Sequence, residues 1–408
     1  MPGVKRVDNK GRNLRVGEYQ RANDGLYLYR YKDLSGKMVT IYAQTLVELR
    51  EKEKTIERDL DDGIDLLTAT KMTLNDLFDR YMKIKQLRIS TQVNYIGTWN
   101  NLVRKEIGKM KLSEIKQIHI REFYNSLSEK NYAEKTIRLC HHMIFPALEI
   151  AVDSDLIRKN PAKGCQKHIR GSRKIRTALT VEEQQVLLDF VKESKVYNVY
   201  YPMIVFALST GLRVGELTGL QWKNVDLKRN VVHIRQQLVY KNYGDGCRFH
   251  IEPLKTDAGW RDIPLTQNAK KALLKQKEIM WLLFGKMDKQ EKLEGLEDLV
   301  FLNKHGSAYA TNAVNFVLDG IVKAYNKVET KQAIREHREP NELPHISAHI
   351  LRHTACSRFA ESGLDPKTLQ IIMGHSNVTT TLDVYTHLDF TKVKEKIEEI
   401  DERIRNIE

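Results

Sequence analysis

Met373-Gly374-His375-Ser376-Asn377-Val378-Thr379-Thr380-Thr381-Leu382-Asp383-Val384-Tyr385 sets a histidine just after a glycine and ends on a tyrosine. Upstream of it lies His349-Ile350-Leu351-Arg352-His353. Further upstream come Gly211-Leu212-Arg213-Val214-Gly215-Glu216-Leu217 and an isolated Lys255. A tyrosine hydroxyl, two arginines, a lysine and two histidines are the parts needed to cut a phosphodiester without a metal. Singly, each has a plain alternative: a surface ion pair, a capping histidine, a solvated turn lysine, one tyrosine among 17. Their order along one chain gives them weight together.

Local spacing supports the set. Arg213 and Glu216 are three apart, so one helical face holds both. A carboxylate beside an arginine fixes its planar fork, which matches phosphate oxygens bidentately. His349 and Arg352 share that spacing. The small and apolar residues around Arg352 (Ala355, Cys356, Phe359, Ala360) predict burial, and a buried guanidinium requires an anion. Lys255 sits at an expected hairpin turn, where an amine can reach over a substrate and donate a proton. His375 is placed to start a helix and donate to an anion.

Around this set the chain reads as three domains. In residues 1–70, Leu26–Tyr31 and Met38–Tyr42 predict a hairpin across Asp33-Leu34-Ser35-Gly36, followed by a helix over 46–61. Tyr27, Tyr29 and Tyr31 share one face by the period of two. Segment 1–37 carries nine Lys/Arg against four Asp/Glu; Arg30, Lys32 and Lys37 are candidate DNA contacts on the other face. Residues 72–165 predict a four-helix bundle, with Thr73–Asp76 as a capping box, Ser90 as a second cap and Asn160-Pro161 as the stop. Residues 166–176 form a basic linker whose Arg170, Arg173, Lys174 and Arg176 are candidates to track a phosphate backbone. Residues 177–390 predict a mixed α/β domain: a helix capped by Thr180, an apolar helix over 201–210, one strand over 225–238, and a hairpin pairing 247–254 with 260–265 around Lys255. In the tail, 391–408, Val393, Ile397, Ile400, Ile404 and Ile407 make one apolar stripe on a helix, suited to docking on a neighbouring copy. The fold class expected is multidomain, mainly α with small β-sheets.

Composition agrees. The 408 residues carry a net charge of +14 and are 41% hydrophobic, which suits a polyanion-binding protein with sizeable cores. The four cysteines show no paired spacing, as expected of reduced thiols in a cytoplasm. Cys140-His141-His142 points in divergent directions on a helix, so no metal site is expected. No apolar run approaches the ~20 residues of a membrane span.

The ordered set Arg213, Lys255, His349-x-x-Arg352, His375, Tyr385, with Thr-Gly-Leu-Arg-Val-Gly-Glu-Leu, Ile-Leu-Arg-His-Thr, Gly-His-Ser-Asn and Val-Tyr around it, resembles the tyrosine recombinase (phage integrase) family, and within it the integrases of conjugative transposons. The resemblance implies an N-terminal arm-binding domain, a helical core-binding domain and a catalytic domain. It implies that Tyr385 attacks phosphorus to give a 3′-phosphotyrosine, that Arg213 and Arg352 clamp the non-bridging oxygens, that Lys255 protonates the leaving oxygen, and that His349 and His375 assist. Glu216 orients Arg213. The implied partners are double-stranded DNA at element ends and target, a homotetramer formed on DNA through tail exchange, and excisionase and DNA-bending accessory proteins. No cofactor is implied, because transesterification conserves the bond energy. A phage integrase would share this chemistry. Chromosome-dimer resolvases generally lack the N-terminal sheet, type IB topoisomerases lack the three-part layout, and a catalytically silent DNA-binding regulator would not need the intact set. A metal-dependent nuclease would need an acidic cluster beside the histidines.

Overall fold

Tyrosines at every second position, Tyr27, Tyr29 and Tyr31, build the first sheet of the computed structural model, which describes residues 6–34, 36–171, 177–244, 246–285 and 297–385. Strands β1 (Glu18–Gln20), β2 (Tyr27–Lys32) and β3 (Met38–Ala43) pair antiparallel in that order; β1 is additional to the expected hairpin. One sheet face packs on helix α1 (Leu46–Asp61), capped by the Thr45 side chain. There Tyr27, Ala43, Leu46 and Leu49 are buried together, and the Tyr29 and Tyr31 rings stack at 5.8 Å.

The bundle follows as α2 (Leu66–Lys71), α3 (Leu74–Ile84), α4 (Ile89–Thr98), α5 (Gln117–Glu129) and α6 (Glu134–Asp153). Thr73 and Asp76 form the expected capping box. Ser90 does not cap: α4 starts one residue earlier, with Arg88 at the cap position, and winds on as a wider turn over Trp99–Val103. That turn drives Trp99 into the core, stacked on Phe78 at 3.8 Å. Helix α6 ends at Asp153, before Asn160-Pro161; Asn160 reaches back instead to the Phe145 carbonyl at 2.9 Å and Glu149 at 2.6 Å. Cys140 and His141 are core residues, His141 lying 3.0 Å from the Tyr124 hydroxyl. Arg158 ties the sheet domain to the bundle through Asp59 at 2.6 Å and the Arg58 carbonyl at 2.9 Å.

The chain divides into two units, Met1–Lys174 and Ile175–Glu408. The second begins with α7 (Val181–Glu193), boxed by Thr180 and Glu183, then α8 (Tyr201–Thr210) and the short α9 (Val214–Thr218). Gly211 turns the chain between α8 and α9 at φ +62°, with Met373 so close that a Cβ would lie 2.7 Å from its Sδ. After the strands come α10 (Gln267–Phe284), α11 (Thr311–Arg335), α12 (Ala348–Glu361), α13 (Pro366–Met373) and α14 (Thr379–Tyr385).

The strands correct two expectations. The single strand over 225–238 is three: β4 (Val225–Asp226), β5 (Val231–Ile234) and β6 (Gln236–Asn242), with Asn230 turning the chain at φ +55°. Nor do 247–254 and 260–265 pair with each other. Strand β7 (Cys247–Pro253) pairs with β6, and β8 (Arg261–Pro264) completes a separate sheet in the order β4-β5-β8. The glycines flanking 245 make a shorter return to β6 than the Lys255 segment makes to β8. Lys255 therefore lies in the connection between two sheets. The tail helix and the linker positions Arg173, Lys174 and Arg176 lie outside the described residues. No helix among those described is long and apolar enough to cross a membrane.

Candidate active site

Helix ends gather the charged groups. Arg213 occupies the N-cap of α9, and Glu216, three residues on, returns to the Arg213 backbone N–H at 3.0 Å. The same carboxylate accepts from Arg213 Nη1 at 2.7 Å, while Nη2 donates to the Gly374 carbonyl at 2.6 Å. Arg352, on α12, is buried as its small neighbours predict; it donates to the carbonyls of Gly211 at 2.7 Å and Met373 at 2.6 Å. Arg352 thus joins the ends of α8 and α13, Arg213 holds the end of α13, and both of those ends turn on glycines with positive φ.

A third guanidinium lies outside the expected set. Arg261 is 5% exposed and bonds Glu216 bidentately at 2.8 and 3.2 Å. Its Nε donates to the Ile372 carbonyl at 2.6 Å and its Nη1 to Gly259 at 2.9 Å. A signal for it exists in the sequence: Arg261 alternates with Ile263 and Leu265, so it occupies the inward face of a strand.

Electrostatics follow from two guanidiniums, Arg213 and Arg261, sharing one carboxylate, with buried Arg352 within reach of their charge. Burial alone would raise the Glu216 carboxyl, but the hydrogen bonds and charge of Arg261, then the charge of Arg213, hold it below its ordinary value. Burial, reinforced by the charge of Arg213, pushes Arg352 down to about 9. Burial and the charges of Arg352, Arg213 and Arg261 push His375 down to about 4, so its ring is neutral near neutrality. The cluster has an unbalanced positive charge. Its preferred occupant is an anion presenting several oxygens to fixed donors.

The histidines are placed differently from expectation. His375 follows the left-handed Gly374 that ends α13, so it sits at a helix C-terminus and not at a start. Its Nδ1 lies 2.9 Å from the Thr381 hydroxyl on α14. His349 is exposed although Arg352, on the same helix, is buried; its charge is nonetheless felt at His375. Lys255 is exposed on the β7–β8 connection, whose far end is held by Arg261 through Gly259. Tyr385 is half-buried against Cys356, Leu369 and Met373, and its hydroxyl donates to the Leu364 carbonyl. Burial raises its pKa above the ordinary phenol value. The structure therefore gathers Arg213, Glu216, Arg352 and His375, and holds the Tyr385 hydroxyl on a backbone carbonyl.

This arrangement matches a known family over residues 177–392, the phage integrase family. The chain belongs to that family. Residues 3–60 match the DNA binding domain of the Tn916 integrase, and 73–128 the phage integrase N-terminal SAM-like domain. The transposase from transposon Tn1545 of Streptococcus pneumoniae is 33% identical over 401 residues, spanning 95% of this chain and 94% of that protein. The transposase from transposon Tn916 of Enterococcus faecalis matches equally, at 33% with the same coverage. Among solved structures, the Tn1549 transposon integrase in complex with transposon right end DNA is 28% identical with a TM-score of 0.68, covering 81% of this chain and all of that one. The chain is a tyrosine-type site-specific recombinase of the kind found in conjugative-transposon integrases.

On the sheet domain, the face away from α1 carries Tyr19, Arg30, Lys32 and Tyr42. Arg6 and Arg30 lie over the Tyr19 ring at 4.7 and 5.5 Å, and Arg21 over Tyr42 at 5.8 Å. Lys37 is exposed beside this face, and Arg170 is exposed after the bundle.

Proposed function

We propose that this recombinase integrates and excises a conjugative transposon by cutting DNA at the element ends and at the target. Tyr385 attacks phosphorus, the 5′-oxygen leaves with a proton from Lys255, and a 3′-phosphotyrosine holds the broken strand until a second 5′-hydroxyl reverses the step. Arg213 and Arg352 take the non-bridging oxygens, and neutral His375 donates to one of them or relays a proton. The observation that carries this reading is the pair Arg213 and Arg261 on the single Glu216 carboxylate, with buried Arg352 close enough to feel their charge. Two arginines turned toward backbone carbonyls at glycine-ended helices make an oxyanion site of the kind a pentavalent phosphorus needs.

The described hydroxyl position is a resting one, since the Tyr385 proton is engaged by Leu364. Release of α14 and a turn of the ring precede attack. The residues beyond Tyr385 include the apolar stripe that we assign to docking on a neighbouring protomer within a tetramer on DNA. Arm sites are bound by the Tyr19–Arg30–Lys32–Tyr42 face and core sites by the bundle and the catalytic domain; 1–70, 72–165 and 177–390 are the working boundaries. Excisionase and DNA-bending proteins set direction, and the work is done in the cytoplasm.

A nicked suicide duplex carrying the element end tests the reading. A covalent protein–DNA adduct should accumulate, and peptide mapping should place the nucleotide on Tyr385. An adduct on another residue, or strand loss without any adduct, would remove the tyrosine from its role.

A further inference from the structure

We infer that Arg261 is a positioning residue for strand cleavage, holding Glu216 and through it Arg213 while fastening the Lys255 and His375 segments to the same point. The inference rests on the reading above for what Arg213 and His375 do, and on geometry for the rest. Four hydrogen bonds at 2.6–3.2 Å leave one guanidinium and reach three separate segments: Glu216 on α9, Gly259 at the end of the β7–β8 connection, and Ile372 in the last turn of α13. Each segment carries a member of the reacting set. Arg213 lies three residues before Glu216, Lys255 four before Gly259, and His375 three after Ile372. A Cβ on Gly374 would lie 2.9 Å from Arg261 Nη1, so the His375 turn is also packed against the same group.

The carboxylate shows why one arginine does not suffice. Glu216 is 2% exposed and accepts from Arg213 on one side and Arg261 on the other. An ionised carboxylate so enclosed persists because both partners pay its desolvation. With Arg261 removed, burial dominates, the carboxyl rises above its ordinary 4.5, and its protonated form no longer holds the Arg213 fork. All three guanidinium nitrogens of Arg261 are engaged internally and the side chain is buried, so its part is to position.

The test uses the full chain with Arg261→Met and Arg261→Lys, the suicide duplex, and cleavage rates at saturating DNA across pH, alongside gel-shift affinity and thermal melting. Arg261→Met should cleave about 100-fold more slowly with unchanged DNA affinity. Its rate should also fall with acid at a higher pH than in the unmodified chain, where the ionised Glu216 persists below 4.5. Arg261→Lys restores a charge but not the fork: the acid fall should return toward its original position while the plateau rate stays low. A rate equal to the unmodified chain overturns the inference, and so does a slow Arg261→Met whose acid fall has not moved, because a scaffold role alone predicts that. If Arg261→Met does not melt cooperatively, Arg261→Lys decides: an unmodified plateau overturns the inference and a lowered one supports it. Should the unmodified chain form no adduct, the nucleophile assignment fails instead. The melting curves then still report Glu216: stability that declines with acid in the unmodified chain should decline with rising pH around the raised carboxyl in Arg261→Met.

Discussion

The guanidinium cluster and the helix that carries Tyr385 are built on opposite plans. Arg352, Arg261 and Glu216 are each at most 6% exposed, and their hydrogen bonds join segments 21 to 141 residues apart. Nothing in that cradle can shift without breaking several bonds in a low-dielectric site. Helix α14 has seven residues, and its tyrosine is half-buried in a small satellite core, its hydroxyl on a loop carbonyl. With the roles proposed above for the cluster and for Tyr385, the difference separates two demands of the reaction. Donors that stabilise charge act best when fixed beforehand. A nucleophile that breaks a chromosome is safer when it must be delivered, and a movable element is drawn from the less stable parts of a fold.

The largest expected effect removes the delivered group alone. Tyr385→Phe should abolish adduct formation on the suicide duplex while leaving gel-shift affinity unchanged, because the ring keeps its packing and only the hydroxyl is lost. Loss of DNA binding by this variant would mean that α14 belongs to the binding surface, and the contrast between fixed cradle and delivered nucleophile would dissolve.

Breaking the cradle should cost less. Arg352→Met should lower the single-turnover cleavage rate by about 10²–10³, the cost of one preorganised donor. Arg352→Lys should recover little of it, since an ammonium cannot span the Gly211 and Met373 carbonyls that the fork joins. Two carbonyls left unpaired should also lower stability by about 1–3 kcal/mol each, readable by thermal melting. A drop in melting without a drop in rate would make Arg352 a structural strut.

Acid should distinguish the regions further. His375 is pushed down to about 4 in the folded chain against an ordinary 6.5. A lowered imidazole favours the neutral folded form, so its contribution is constant above 6.5 and stability is lost as pH falls from 6.5 toward about 4. His375→Asn should flatten that part of the melting profile. Bound phosphodiester opposes the arginine charges, so the His375 NMR titration should move upward when DNA is added. A titration unmoved by DNA would place the phosphate outside the cluster.

Much of the cradle was legible in sequence because its logic is local. The Arg213–Glu216 spacing, the Gly211 stop and the small residues beside Arg352 each predict their observed place. Arg261 was passed over, despite its alternation with Ile263 and Leu265, for a specific reason. The alternation marks an inward face but not what it meets: read in a hairpin with 247–254 the strand has the wrong partner, and only the pairing with β5 brings Arg261 to Glu216. The resting bond of Tyr385 was equally hidden, since a backbone carbonyl at Leu364 leaves no mark in a side-chain pattern. His375 was assigned to a helix start because Gly374 was read as an opening; the left-handed conformation of that glycine makes it the close of α13.

One side chain joins the two regions. Thr381 is fully buried on α14, and its hydroxyl lies 2.9 Å from His375 Nδ1. Thr381→Val keeps the shape and removes that bond, worth about 0.5–1.5 kcal/mol, so cleavage should fall by about tenfold at most. The direction of the accompanying change in Tyr385 is the informative part. If the bond helps hold α14 in its resting place, the variant should show broader Tyr385 NMR signals, while its cleavage plateau still drops through the misplaced imidazole. A variant with slower cleavage and an unchanged Tyr385 signal would confine Thr381 to orienting His375. One with unchanged cleavage would show that the ring is held by the cradle alone, and that the fixed half of the site needs nothing from the half that moves.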